Sequence, residues 1–268
     1  MAFNNITLGQ YYPVDSEVHK MDPRIKIVLL IASIVAVFLA QNLMALVPVM
    51  VFLALAARLS RVPVKLMIKG LKPLRFILIL TFVMNLFFLP GETPLMDLGF
   101  AVIKRESVIT AVRYSLRLVL LVLFSSLLTL TTAPIALTDG LERLLSPLKV
   151  IRFPAHEMAM MMTIALRFIP TLLEEADKIM KAQTARGADF ESGNLFKRAK
   201  AMVPLLVPLF VSAFRRAGDL AMAMEARCYH GGEGRTRLRV LKCEERDYWA
   251  CLWVAVLILC VALVNRLF

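Results

Sequence analysis

The feature that most constrains this chain is a series of five apolar stretches, at residues 25–40, 43–57, 75–89, 109–131 and 248–263, whose interiors carry almost no ionisable groups. A helix must run through roughly 20 mostly apolar residues to cross the hydrocarbon core of a bilayer, and tilt or flanking residues let somewhat shorter stretches serve. With 59% hydrophobic and only 19% charged residues over 268 positions, the chain is too apolar to cover a soluble domain with polar groups. The expected fold is therefore an all-α polytopic membrane protein. It has about five transmembrane helices and a further region of about three helices on one side of the bilayer. The corresponding division is 1–131 for the first four spans, 132–246 for the intervening helices and 247–268 for the last span.

Local signals sharpen the ends of the spans. Asp22 followed by Pro23 offers an N-cap and a first-turn proline for the first span. Gln41 and Asn42 alone separate it from the second, which implies a tight hairpin. Pro90 and Gly91 end the third span, and Pro134 follows the fourth. The first residues lack a basic segment followed by an apolar core, so the first span is expected to stay in the mature protein.

The net charge of +12 admits nucleic acid, anionic lipid or acidic protein as partners, and its placement decides among them. The connection after the second span carries Arg58, Arg61, Lys65, Lys69, Lys72 and Arg75 without an acidic residue, while the Gln41–Asn42 turn carries no charge. By the positive-inside rule the N-terminus and residues 132–246 are cytoplasmic, the chain is a multi-pass cell-membrane protein embedded in the lipid bilayer, and the C-terminus lies outside. Arg113 and Arg117 fall on the outer side and are expected to snorkel from a helix end. Topology accounts for the basic residues better than nucleic acid does, and no nucleic-acid partner is expected.

The chemistry is sparse. Asn85 is the main strongly polar residue inside a span, whereas carriers that move protons or ions alone place Asp, Glu or His along their path. His19, His156 and His230 are scattered singly, and Cys228, Cys243, Cys251 and Cys260 form no CxxC pair. No metal site, cofactor site or catalytic residue is expected. No phosphate-binding GxxxxGK[ST] loop occurs, so ATP must be bound by another chain if it is used. Ser125, Ser126, Thr129, Thr131 and Thr132 supply hydroxyls without a nearby base, which suits helix packing more than an intramembrane enzyme.

Residues 132–246 read as helices. Asp139 to Glu142 resembles a capping box that opens a short helix ending near Ser146 and Pro147. A second helix follows Pro154, passes Met158, Met160, Met161 and Met162, kinks at Pro170 and stops at Gly187. A third runs from about Asn194 to about Tyr229 and stops at Gly231 and Gly232. Its apolar stretch at 201–214 contains Pro204 and Pro208 and is flanked by cations on both sides, so it is expected to lie at the membrane interface and not to cross. Both long helices are apolar first and charged last. Their apolar parts are expected to dock on the membrane helices, and methionine fits either irregular packing or an adaptable partner surface.

The two long helices end alike, in Ala185-Arg186-Gly187 and in Ala226-Arg227-Cys228. A cation near a helix C-terminus is favoured by the dipole alone, but the repetition points to a paired docking device. An arginine fork can hold a partner carboxylate through two hydrogen bonds and keeps its charge. With these endings, the run Ile6 to Pro13 (ITLGQYYP), the approach to the first span from His19 to Lys26 (HKMDPRIK) and Gly231 to Thr236 (GGEGRT), the chain resembles a known family over essentially its whole length. That family is the transmembrane T components of energy-coupling factor transporters, ABC-type importers of vitamins and metal ions. Cys228 departs from the resemblance, because the family pattern has glycine there. Since cysteine continues a helix more readily than glycine, the helix end at that position is left open.

The resemblance implies a non-catalytic scaffold with two kinds of partner. Two cytosolic ATPase subunits, of A and A′ type, would receive Ala185, Arg186, Gly187, Ala226, Arg227 and Cys228. A membrane-embedded S component, one of several interchangeable ones, would capture the substrate and meet the T component at Met158, Met161, Met162, Pro204 and Pro208. The rival readings are a substrate-binding permease subunit of a conventional ABC importer, which the sparse intramembrane polarity disfavours, and the intramembrane enzyme.

Overall fold

A computed structural model describes residues 11–88, 94–97, 102–151, 153–188, 190, 194–231 and 241–267. The Ile6 to Gln10 part of the opening run, Pro90 and Gly91, and Gly232 to Thr236 lie outside the described residues. The described helices in chain order are α1 (Glu17–Lys20), α2 (Pro23–Leu39), α3 (Leu46–Ser60), α4 (Val64–Lys69), α5 (Arg75–Phe88), α6 (Arg105–Thr131), α7 (Pro134–Leu145), α8 (Ala155–Ala185), α9 (Leu195–Ala226) and α10 (Glu245–Leu267). The all-α expectation holds for the framework. A small antiparallel ribbon, β1 (Pro94–Asp97) with β2 (Val102–Lys104), joins α5 to α6 and pairs Pro94 with Lys104.

Among the described residues three helical stretches are long and apolar enough to span a bilayer: Val64–Phe88, Arg105–Thr131 and Glu245–Leu267, with mean hydropathies of 1.7, 1.8 and 2.3. α2 and α3, at 17 and 15 residues, are shorter, and at 1.5 Å per residue each covers roughly 22–26 Å. The fold divides into two compact units, one made of the described parts of Gly9–Gly140 and Val240–Phe268, the other of Leu141–Arg239.

The first unit is a bundle around Ala36, Val37, Leu46, Val49, Leu53, Phe124, Leu127, Leu257 and Val261, all buried. Small residues at the end of α2, Ala36 and its C-cap Ala40, are fully enclosed, which lets neighbouring helices approach closely. The outward surface is apolar too, with Val28, Ile31, Val35, Phe38, Phe76, Ile77, Ile79, Leu252 and Leu259 exposed. That pattern suits a lipid solvent and not water.

Polar knots close both ends of this bundle. At one end Asp22 caps α2, its carboxylate accepting from the Arg24 amide at 2.9 Å and pairing with the Arg24 guanidinium at 2.6 Å. Buried Asp247 accepts from the Asp22 amide at 3.1 Å and from the Glu244 amide at 2.9 Å, fixing the start of α10. The buried Lys26 amine donates to the Thr131 carbonyl at 2.9 Å, at the last turn of α6, and to the His19 carbonyl at 3.1 Å. The Tyr12 amide donates to the Leu130 carbonyl at 2.9 Å. The start of α2, the end of α6 and the start of α10 therefore share one face, and the His19 to Lys26 run supplies the groups that tie them.

At the opposite end the Arg117 guanidinium donates to the Ala40 carbonyl at 2.8 Å, and Arg113 donates to the Gln41 carbonyl. Asn265 donates to the Leu39 carbonyl at 2.6 Å and accepts from the Gln41 amide at 3.1 Å. Arg117 also lies over the rings of Phe38 and Tyr114. These arginines do more than snorkel, because they satisfy the orphan carbonyls that every helix C-terminus leaves.

One local expectation fails. Asp139 to Glu142 does not open a helix, because α7 already begins at Pro134, with the Leu137 amide donating to the Ala133 carbonyl at 2.9 Å. Proline suits the first helical position, so it sets the start and leaves Asp139 inside. Gly140 is placed for contact: a Cβ there would meet Pro23 Cβ at 3.0 Å.

Candidate functional site

The second unit is built on α8 and α9. α8 runs through Pro170, and α9 through Pro204 and Pro208, without interruption. The helices are antiparallel. Near their middles the Arg216 guanidinium donates to Glu175 at 2.7 Å, and at one end His156 of α8 reaches Tyr229, just past α9. Glu175 is held below the ordinary carboxylate range, first by a hydrogen bond from Ser212 and then by Arg216.

The two arginine endings have the same backbone construction. After α8, Arg186 adopts φ −88° and ψ 7°, and Gly187 turns left-handed at φ +89°. The Ala188 amide donates to the Gln183 carbonyl at 3.0 Å, and the Gly187 amide to the Thr184 carbonyl at 2.9 Å. After α9, Arg227 adopts φ −96° and ψ 16°, and Cys228 turns left-handed at φ 55°. The Tyr229 amide donates to the Met224 carbonyl at 3.0 Å, and the Cys228 amide to the Glu225 carbonyl at 2.8 Å. Both are Schellman caps, in which a left-handed residue folds the chain back to satisfy the last carbonyls. Cysteine takes the place that glycine takes in the first ending, so the helix stops there after all. The left-handed conformation costs a non-glycine residue on the order of 1–2 kcal/mol.

Ala185, Arg186, Gly187, Ala226, Arg227 and Cys228 are all exposed. Because the helices are antiparallel, Arg227 lies toward the start of α8 and Arg186 at its end. At 1.5 Å per residue, roughly 30–45 Å of helix axis separates them. The arrangement therefore presents two like cationic tips, far apart, on one antiparallel pair of helices.

Met158, Met161, Met162, Pro204 and Pro208 are exposed as well. The antiparallel register does not bring the two groups together: the methionines lie near the start of α8, whereas Pro204 and Pro208 lie toward its end, among exposed Met202, Val203, Leu206, Val207, Phe210, Val211 and Phe214 of α9. An exposed apolar area of that extent marks contact with protein or lipid. Among the described residues no three His, Cys, Asp or Glu side chains converge as metal ligands, and all four cysteines are free thiols.

The side chains that organise this unit are not announced by the sequence. Glu175 and Arg216 are 41 residues apart, Glu142 and His156 are 14 apart, and His156 and Tyr229 are 73 apart. No local pattern joins groups at such separations. The antiparallel packing of α8 and α9 brings the first and last of these pairs together.

A largely helical bundle with an apolar outer surface, together with a unit built on two long helices with matched arginine endings, defines a helical membrane protein. A family model described as CbiQ, cobalt transport protein, matches residues 15–238. The chain is 52% identical over 264 residues to the energy-coupling factor transporter transmembrane protein EcfT of Clostridium kluyveri, covering 98% of this chain and 97% of that protein. It is 56% identical over 237 residues to the EcfT protein of Acidaminococcus fermentans, 88% of each chain. Against the EcfT protein of Bacillus subtilis it is 48% identical over 244 residues, 91% of this chain and 92% of that one. The chain belongs to this family, the transmembrane components of energy-coupling factor transporters.

Proposed function

We propose that this chain is the non-catalytic coupling subunit of an energy-coupling factor importer. The observation that carries the reading is the matched pair of exposed Schellman endings at Arg186 and Arg227. Each tip offers a guanidinium that can enter a groove of a cytosolic ATPase subunit and hold a carboxylate bidentately. Their wide separation suits two ATPase subunits, one at each tip. ATP is bound and hydrolysed by those partners, and this chain needs no cofactor of its own.

Nucleotide-driven closure of the ATPases would move the two tips together with α8 and α9. The exposed apolar positions Met158, Met161 and Met162 of α8 and Pro204 and Pro208 of α9 are the proposed contacts of a membrane-embedded S component, which reorients to release a vitamin or other micronutrient inside. The face that carries Asp22, Thr131 and Asp247 is then cytoplasmic, in keeping with the basic connection after α3. Substrate choice rests with the S component, and a module shared by several vitamin-binding S components is the preferred form.

Co-purification in mild detergent tests this. Two P-loop ATPases and a small hydrophobic protein are expected to accompany the tagged chain. Replacing both Arg186 and Arg227 by glutamate should release the ATPases and stop uptake while leaving membrane insertion unchanged. A chain that transports alone in liposomes, or a double variant that keeps its ATPases, would sink the proposal.

A further inference from the structure

The two arginine endings share their backbone but differ in the residue that closes each cap. In the first ending it is Ala188, which has no side chain able to reach a neighbour. In the second it is Tyr229, and its hydroxyl lies 3.2 Å from His156 Nε2 at the start of α8. His156 Nδ1 in turn lies 3.0 Å from Glu142 Oε1, near the end of α7. A carboxylate accepts, so the ring donates from Nδ1 to Glu142, while Nε2 faces the Tyr229 hydroxyl at hydrogen-bond distance. His156 and Glu142 side chains are largely enclosed, 17% and 14% exposed. Tyr229 is therefore held by its amide within the cap and by its hydroxyl to a second helix.

We propose that Tyr229, held by His156 and through it by Glu142, is a positioning residue that aims Arg227 for ATPase docking, so that the second ending is pre-set by a side-chain tether that the first does not show among the described residues. The inference rests on the docking role proposed above. A tip whose direction is fixed before binding loses less freedom on docking. Cutting the tether should thus weaken that tip alone. Loss of one hydrogen bond of this kind corresponds to about a 3- to 10-fold change in affinity.

The test is a mutant cycle on the full chain in lipid nanodiscs, reading the affinity of the purified ATPase pair. Y229F is placed in an R186A background, where docking depends on Arg227, and in an R227A background, where it depends on Arg186. The expected result is about a 3- to 10-fold loss in the first and none in the second. H156A should repeat the pattern, and H156Q, which keeps a polar group near the Nε2 end, should restore part of the loss. H156A also serves if Y229F fails to fold. Equal losses in both backgrounds would reveal a merely structural role and overturn the inference, as would no loss in either. If R186A and R227A themselves leave ATPase affinity unchanged, the docking reading fails and this inference falls with it.

Discussion

At the scale of single residues, the second ending shows how a cap can be built with a residue that resists it. Cys228 sits at φ 55°, a region where an L side chain is strained and glycine is not. Cys228→Gly should therefore raise stability by about 1 kcal/mol, whereas Cys228→Val, β-branched, should lower it by more than that. Thermal unfolding of the detergent-solubilised chain reads both. A second residue-scale expectation concerns His19, whose ring accepts from the Ser16 hydroxyl at 2.7 Å and donates to the Tyr12 carbonyl at 2.9 Å. Burial, opposed in part by that bond to Tyr12, lowers its pKa from 6.5. The unfolded chain then binds the proton more readily, so the stability this group contributes is full above pH 6.5 and declines as the pH falls below it toward the folded value. His19→Gln should flatten that part of the wild-type slope; an unchanged slope would place the titration elsewhere.

At the scale of elements, the ion pair between Arg216 of α9 and Glu175 of α8 at 2.7 Å joins the helices near their middles. Arg216 is 41% exposed, so solvent screens the pair and its worth is about 1 kcal/mol or less. Glu175→Gln should lower thermal stability by no more than that and leave insertion intact. Arg117→Met should cost more, about 1.5–3 kcal/mol, because it strips a charged donor from the Ala40 carbonyl beside the end of α2. How much of these elements is legible in the sequence depends on how local their signals are. Asp22 and Pro23 announce the start of α2, because a cap and a first-turn proline act on their own helix. Pro134 sets the start of α7 over the more box-like Asp139 for the same local reason. The Arg113 and Arg117 bonds to the end of α2, and the histidine between Glu142 and Tyr229, depend on residues far away in sequence. No periodicity or spacing announces them.

At the scale of the whole molecule, the consequence of two tips on one pair of helices is avidity. When one ATPase of a joined pair has docked at Arg186, the other meets Arg227 as an intramolecular event, and linked binding of this kind can exceed single-site affinity by about 10²–10⁴-fold. Either arginine alone should then hold the ATPase pair only weakly, so R186A or R227A should lose most of it on dilution, although each keeps one intact tip. The sharper comparison uses an ATPase variant unable to pair with its partner subunit. It should bind the unmodified chain no more tightly, beyond a statistical factor of about two for having two tips, than the joined pair binds a chain with a single tip. If it binds as tightly as the joined pair does, the tips act independently and the roughly 30–45 Å between them has no mechanical meaning. If the predicted gap appears, the spacing of Arg186 and Arg227 ties closure of the ATPase pair to movement of α8 and α9, since neither partner can shift without drawing on the tip it holds.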